Sequence, residues 1–393
     1  MHQTEFIALM AMLFATVAFS IDSMLPALPE IAAELSPANP NQAQLILTSF
    51  VLGMGVGTLF AGPLSDAFGR RRVIVLGAAL YCAASVAAYL APTLETVLLA
   101  RVVQGLGAAG PRIASMALVR DLYSGRQMAR VVSFAMMIFT LVPAVAPLMG
   151  SWIMAGFGWR SIFLAFVVFS VVSMIWFLIR QPETLPASLR RPLRVRALWQ
   201  AMTEVLSHRV IVLSIAVQTL VFGALFGTLS AAQQVFDETF GRGPSFPFWF
   251  AVIALVSGTA SLLNASVVVR FGMWRLITVT LAGQIAVSAG LALIAVTGVL
   301  SPDLAFAAFV FWTTGVFFMA GLTLGNLNAM AMEPVGHIAG MAASVVGGIA
   351  TVASLVVAVP LGLAFDGTVV PLTVGVGLAS AVALVLMQLI PAR

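Results

Sequence analysis

Long apolar runs dominate this chain, broken at intervals by proline, glycine and charge. A helix rising about 1.5 Å per residue crosses the ~30 Å hydrocarbon core of a bilayer in ~20 residues, and the runs match that length. The pattern predicts an all-α membrane protein of twelve spans. The first six cover 6–28, 43–64, 73–90, 93–117, 131–155 and 161–179. The second six cover 210–231, 246–269, 276–296, 303–330, 338–364 and 369–390. The longest polar stretch, rich in Arg and Pro, falls between the two sets. The expected organisation is therefore a six-helix bundle over 1–180, a cytoplasmic central loop over 181–208 and a second bundle over 209–393.

Charge then orients the pattern. With the N-terminus cytoplasmic, the even-numbered loops and the span ends beside them hold Arg70, Arg71, Arg72, Arg112, Arg120, Arg126 and Arg130. They also hold Arg180, Arg190, Arg191, Arg194, Arg196 and Arg209, then Arg270 and Arg275. The opposite loops hold only Arg160 and Arg242, beside Glu30, Glu34, Glu95, Asp237, Glu238, Asp303 and Asp366. This is the positive-inside asymmetry, with both termini cytoplasmic, and one miscounted helix would scramble it. The start of the chain reads as a membrane helix rather than a cleavable signal, because no basic region precedes it and no small-residue cleavage site follows.

Composition narrows the function. Hydrophobic residues make up 61% and charged residues 8% of the 393 positions, whereas a soluble domain needs roughly a quarter charged. Every basic residue other than histidine is arginine. A phosphate-binding Gly-x-x-x-x-Gly-Lys loop is therefore impossible, and an ion gradient is the expected energy source. No basic run is interleaved with the polar and aromatic residues of a nucleic-acid surface. The single cysteine, Cys82, and the scattered His2, His208 and His337 offer no disulfide framework or metal cluster, so neither metal nor cofactor is expected.

The halves echo each other. Phe68-Gly69-Arg70-Arg71-Arg72 lies between spans two and three, and Phe271-Gly272-Met273-Trp274-Arg275 lies between spans eight and nine. Repeated halves are a mark of secondary transporters. The first of these segments belongs to the strongest motif, Gly62-Pro63-Leu64-Ser65-Asp66-Ala67-Phe68-Gly69-Arg70-Arg71-Arg72. It sets a carboxylate and three guanidiniums around a tight turn, a charged clasp able to hold one conformation and release another. An arginine anchor alone would not need that spacing.

This segment resembles the signature loop of the major facilitator superfamily, with Ala67 where many members place an arginine. Arg101-Val102-Val103-Gln104-Gly105-Leu106-Gly107 resembles the fourth-helix motif of that superfamily's drug/proton antiporters. Asp22-Ser23-Met24-Leu25-Pro26-Ala27-Leu28-Pro29 resembles the first-helix motif of the Bcr/CflA-type multidrug exporters, as do Val119–Tyr123, Gly158–Phe163 and Gly340–Ser344. The resemblance implies the superfamily's fold of two pseudo-symmetric six-helix bundles. It also ties the first-helix acid and fourth-helix arginine to proton coupling.

Depth points to the same pair. Asp22 lies about 24 Å into the first helix and Arg101 about 10 Å below the outer face, so their depths overlap. An intramembrane ion costs ~2.5–3.5 kcal/mol and generally faces a cavity or a partner; a frayed helix end and a snorkelling arginine are the plain alternative. Asp22 is the candidate proton carrier and Arg101 the residue that tunes it. Gln104 shares the Arg101 face, beside the small-residue stripe Gly105, Gly107 and Gly110. In span five, Pro143 and Pro147 with Gly150 resemble the exporters' fifth-helix motif and are expected to let the helix bend. Met137, Phe139, Gln218, Phe222 and Phe226 are further cavity candidates, although such residues in membrane helices most often serve packing.

These readings converge on a monomeric bacterial inner-membrane antiporter, exchanging protons for lipophilic drugs or toxic metabolites. An uptake symporter for a metabolite would share the fold but want a more polar cavity. A membrane-bound enzyme or sensor would want a catalytic cluster or a soluble domain, and neither is legible.

Overall fold

Each predicted span corresponds to one long helix in the computed structural model, which describes residues 2–190, 193 and 195–391. The helices before the central segment are α1 (Gln3–Asp22), α2 (Leu28–Leu35), α3 (Leu45–Phe68), α4 (Arg70–Leu90), α5 (Leu94–Leu122), α6 (Gly125–Phe157) and α7 (Ser161–Arg180). Those after are α8 (Val195–Ser207), α9 (Arg209–Gln234), α10 (Phe246–Phe271), α11 (Met273–Thr297), α12 (Pro302–Met332), α13 (Ala339–Leu363) and α14 (Val370–Gln388). Among the described residues, 11 helical runs are long and apolar enough to cross a membrane. The run Pro302–Leu363 is 62 residues long and contains two spans. Between α12 and α13 lies a 3-10 turn in which Val335 leaves the helical region at φ −124° and ψ 30°.

Two stretches depart from the predicted pattern. The first span was expected to continue to residue 28, but α1 stops at Asp22 and a 3-10 turn, Leu25–Ala27, precedes α2. Pro26 explains the break, since proline has no N–H to donate and disfavours helical backbone at the residue before it. Ser23 closes the helix end by donating its hydroxyl to the Phe19 carbonyl at 2.5 Å. The central segment, expected as loop, contains α8. Arg191 and Arg194 lie outside the described residues.

The chain forms two units. One comprises Met1–Ala27, Ser49–Thr203 and Gly340–Gly348, the other Leu28–Thr48, Glu204–Ala339 and Ile349–Arg393. In the first, glycine lets helices meet backbone to backbone. A Cβ at Gly105 would lie 2.1 Å from the Phe50 carbonyl oxygen, and one at Gly107 would lie 2.6 Å from the Tyr81 nitrogen. In the second, Phe236 packs edge-on against Phe246, Phe306 and Phe309. There an amide cluster joins three segments: Asn41 donates to the Leu363 and Phe365 carbonyls, and Gln234 to Asn41 and Glu238. Gln44 completes it by donating to Gln234 at 2.5 Å.

The internal repeat is visible in the backbone. Gly69 before α4 has φ 99° and ψ 153°, and Gly272 before α11 has φ 80° and ψ 155°. Only glycine occupies this region without strain, and a side chain there costs about 1–3 kcal/mol. A Cβ at Gly69 would also lie 2.4 Å from Glu183, whereas one at Gly272 meets nothing within 4 Å. Gly69→Ala is therefore expected to lower the melting temperature in detergent more than Gly272→Ala. Equal shifts would show that the Glu183 contact contributes nothing.

Candidate functional site

A buried polar network crosses the first unit. Arg101 is wholly buried on α5. Its guanidinium donates to Gln104 Oε1 at 2.5 Å and to the Ser20 carbonyl at 3.0 Å, and lies 4.5 Å from the centre of the Phe50 ring. Gln104 donates onward to the Ser85 hydroxyl at 2.6 Å. Tyr81 shares a 2.5 Å hydrogen bond with the Ser20 hydroxyl. Arg101 thus grips α1 two residues before Asp22 rather than through its carboxylate. Asp22 is 5% exposed at the C-terminal end of α1. Among the described residues its carboxylate has no hydrogen bond or ion pair. It also sits where the helix dipole is negative.

Ser20, Tyr81 and Ser85 were not legible as site residues. A lone hydroxyl in an apolar helix usually bonds its own backbone, as Ser85 also does with the Tyr81 carbonyl. The α6 motif touches the same place. A Cβ at Gly150 would lie 2.1 Å from the Ser23 carbonyl oxygen, so α6 presses on the break in α1 beside Asp22. Pro143 and Pro147 lie inside α6, which remains one helix from Gly125 to Phe157. We expect Gly150→Val to cut transport severely while Gly156→Val, where a Cβ meets nothing within 4 Å, has little effect. Transport assays at matched expression would check this pair.

The clasp centres on Arg70. Its guanidinium bonds Asp66 and Ser65 on α3, and Asp121 on α5 at 3.0 Å. The central segment closes over it. Glu183 accepts hydrogen bonds from the backbone N–H groups of Arg70 and Arg71, at 2.9 and 3.1 Å, and from those of Thr184 and Leu185. A carboxylate satisfying free donors at the start of α4 is favoured by the helix dipole as well. Thr184 donates to Asp121 at 3.0 Å, and Arg71 to the Leu178 carbonyl at 2.9 Å. Arg72 is exposed. Gly62 faces α13, where its Cβ would lie 3.0 Å from the Ser344 hydroxyl. A cavity of about 580 Å³ opens here, lined by Gly62, Asp66, Arg70, Arg120, Asp121 and Ser344. Glu183 was missed in the sequence because nothing along the chain brings residue 183 to residue 70.

The remaining candidates are dispersed. Gln104 is engaged at both ends of its amide. Phe139 packs against the core around Phe6, Phe14 and Phe177, and Met137 is more than half exposed. In the second unit Phe222 and Phe226 stack with ring centres 5.7 Å apart. Gln218 is buried on the same helix, and its Nε2 has no partner among the described residues. Asn326 bonds Asn264 at 2.7 Å, joining α12 to α10.

Comparison with known proteins decides the family. The family model of the Major Facilitator Superfamily matches residues 8–359. The chain belongs to that superfamily. It is 31% identical over 71% of its length to a bicyclomycin resistance protein homolog of Haemophilus influenzae, covering 70% of that protein. It is 30% identical over 67% of its length to the multidrug resistance protein MdtL of Escherichia coli, covering 66% of that protein. The chain thus spans about two thirds of the curated relatives it matches. Among solved structures, the xylose transporter XylE of Escherichia coli, in a partially occluded inward-open conformation, covers 99% of this chain and 98% of its own. Its TM-score is 0.74 at 13% identity, which shows the superfamily fold and nothing about cargo. As a member of this superfamily the chain is a multi-pass membrane transporter.

Proposed function

We propose that this transporter exports lipophilic or amphipathic small molecules, such as antibiotics or toxic metabolites, in exchange for protons. Two relatives named for drug resistance support the cargo class. The observation that carries the coupling is Asp22, a buried carboxylate without a partner among the described residues, held at the broken end of α1. An ion there carries the intramembrane cost of a few kcal/mol, so gaining or losing one proton changes the energy of that site substantially. Arg101 holds the Ser20 carbonyl and so positions the helix end that presents Asp22. Alternating access would expose Asp22 and cargo in turn, with the Arg70 clasp making and breaking as the gate moves.

We further propose a monomer in a bacterial inner membrane, as the bacterial relatives suggest, with both termini cytoplasmic on the asymmetry of its arginines. The energy source is the proton gradient. Everted membrane vesicles test this reading. Acidifying their interior should drive accumulation of a lipophilic cationic dye or antibiotic, and collapsing the gradient should release it. Accumulation in right-side-out vesicles under an inward proton gradient would contradict export.

A further inference from the structure

The central segment contains a helix whose surface divides three ways. At about 100° per residue, Trp199, Met202 and Leu206 of α8 fall within an arc of about 60°. Trp199 is 64% and Leu206 43% exposed, and Met202 is partly exposed. A second arc carries Ala201 and Val205, which are 3% and 0% exposed and so face the protein. A third carries Arg196, Gln200, Thr203 and Ser207, all exposed. A helix on a protein surface in water needs two faces, one buried and one polar. This one has an additional apolar face, turned roughly a quarter-circle from each of the others.

Connectivity says what covers it. α8 ends at Ser207, and the membrane-spanning α9 begins at Arg209, so Leu206 is held within a few residues of the bilayer surface. The flanking charges have one sign. Arg196 and Arg209 are exposed and have no partner among the described residues. The acid on the helix, Glu204, is already engaged with His337 at 2.8 Å. Tryptophan is enriched at the headgroup level, and exposed arginine beside a span is attracted to anionic lipid.

We propose that α8 is an interfacial helix, docked on the leaflet at the arginine-rich side of the protein. Trp199, Met202 and Leu206 enter the headgroup region, and Arg196 and Arg209 pair with anionic lipid headgroups. The segment linking the two halves is thereby fixed to the membrane surface rather than suspended in water. The Arg70 clasp, which Glu183 of the same segment completes, is therefore linked to a lipid-bound element.

Site-directed nitroxide labelling in proteoliposomes tests the proposal. In a Cys82→Ser background, single labels go in through Trp199→Cys, Leu206→Cys, Gln200→Cys and Thr203→Cys, all at exposed positions. With anionic lipid present, labels at 199 and 206 should favour collisions with oxygen. Labels at 200 and 203 should favour a water-soluble nickel chelate, with nickel accessibility at least about threefold above that at 199 and 206. Arg196→Gln with Arg209→Gln should raise nickel accessibility at 206, and omitting anionic lipid should do the same. Labels at 199 and 206 as open to nickel as those at 200 and 203 would overturn the docking. Identical profiles with and without the arginines and the anionic lipid would overturn the headgroup pairing. Neither result depends on cargo or protons, so failure here is separable from failure of the proposed antiport.

Discussion

Asp22→Asn is expected to abolish uphill drug accumulation in everted vesicles, bringing the steady-state ratio of internal to external drug to about one. Coupling between two ligands is a reciprocal free energy, and a carrier that cannot bind the proton has no gradient to draw on. Asparagine keeps the size and shape of the side chain but carries no charge and cannot titrate. The protein should therefore fold and bind drug normally, because among the described residues the Asp22 carboxylate makes no hydrogen bond whose loss would disturb α1. Downhill drug exchange across the membrane should persist. Accumulation at the wild-type level in Asp22→Asn would remove Asp22 from the coupling mechanism. Loss of downhill exchange as well would make its role structural.

The second large effect is expected at Arg70. Its side chain is 9% exposed, against 23% for Asp121 and 42% for Asp66. Removing one member of a fully buried ion pair costs about 3–5 kcal/mol. Here both carboxylates keep some water, so Arg70→Gln should cost less, on the order of 1–3 kcal/mol. Fluorescence-detected size-exclusion after heating should show the lower melting temperature, and drug export should fall with it. Asp121→Asn in the Arg70→Gln background should recover part of the stability, since it removes the more buried of the two stranded charges. An unchanged melting temperature in Arg70→Gln would show that the clasp stabilises nothing in the resting protein.

How much of this was legible depended on range. The spans followed from periodicity and length, and even the shared tight turn at Gly69 and Gly272 was marked by matching residues in the two halves. The break at Asp22 was foreshadowed by Pro26, yet hydropathy carried the span across it because Ser23–Leu28 is mostly apolar. Asp22, Arg101 and Gln104 stood out as polar groups in apolar helices. Their actual geometry did not, because Arg101 bonds a backbone carbonyl, which every residue possesses. Glu183 and Thr184 became part of the clasp only by folding back over α4 and α5. The second-unit cavity candidates gained the least. Phe222 and Phe226 are one turn apart and stack on each other, which the spacing alone would suggest with or without a ligand.

Drug-driven proton movement in proteoliposomes separates antiport from symport and from uncoupled transport. Purified protein is reconstituted without an imposed gradient, drug is added on one side, and internal pH is followed with a trapped dye. Under proton antiport, drug entering the vesicles moves protons out and raises internal pH, and Asp22→Asn shows no such change while drug still enters. Protons entering together with drug would make the protein a symporter and rule out drug export in exchange for protons.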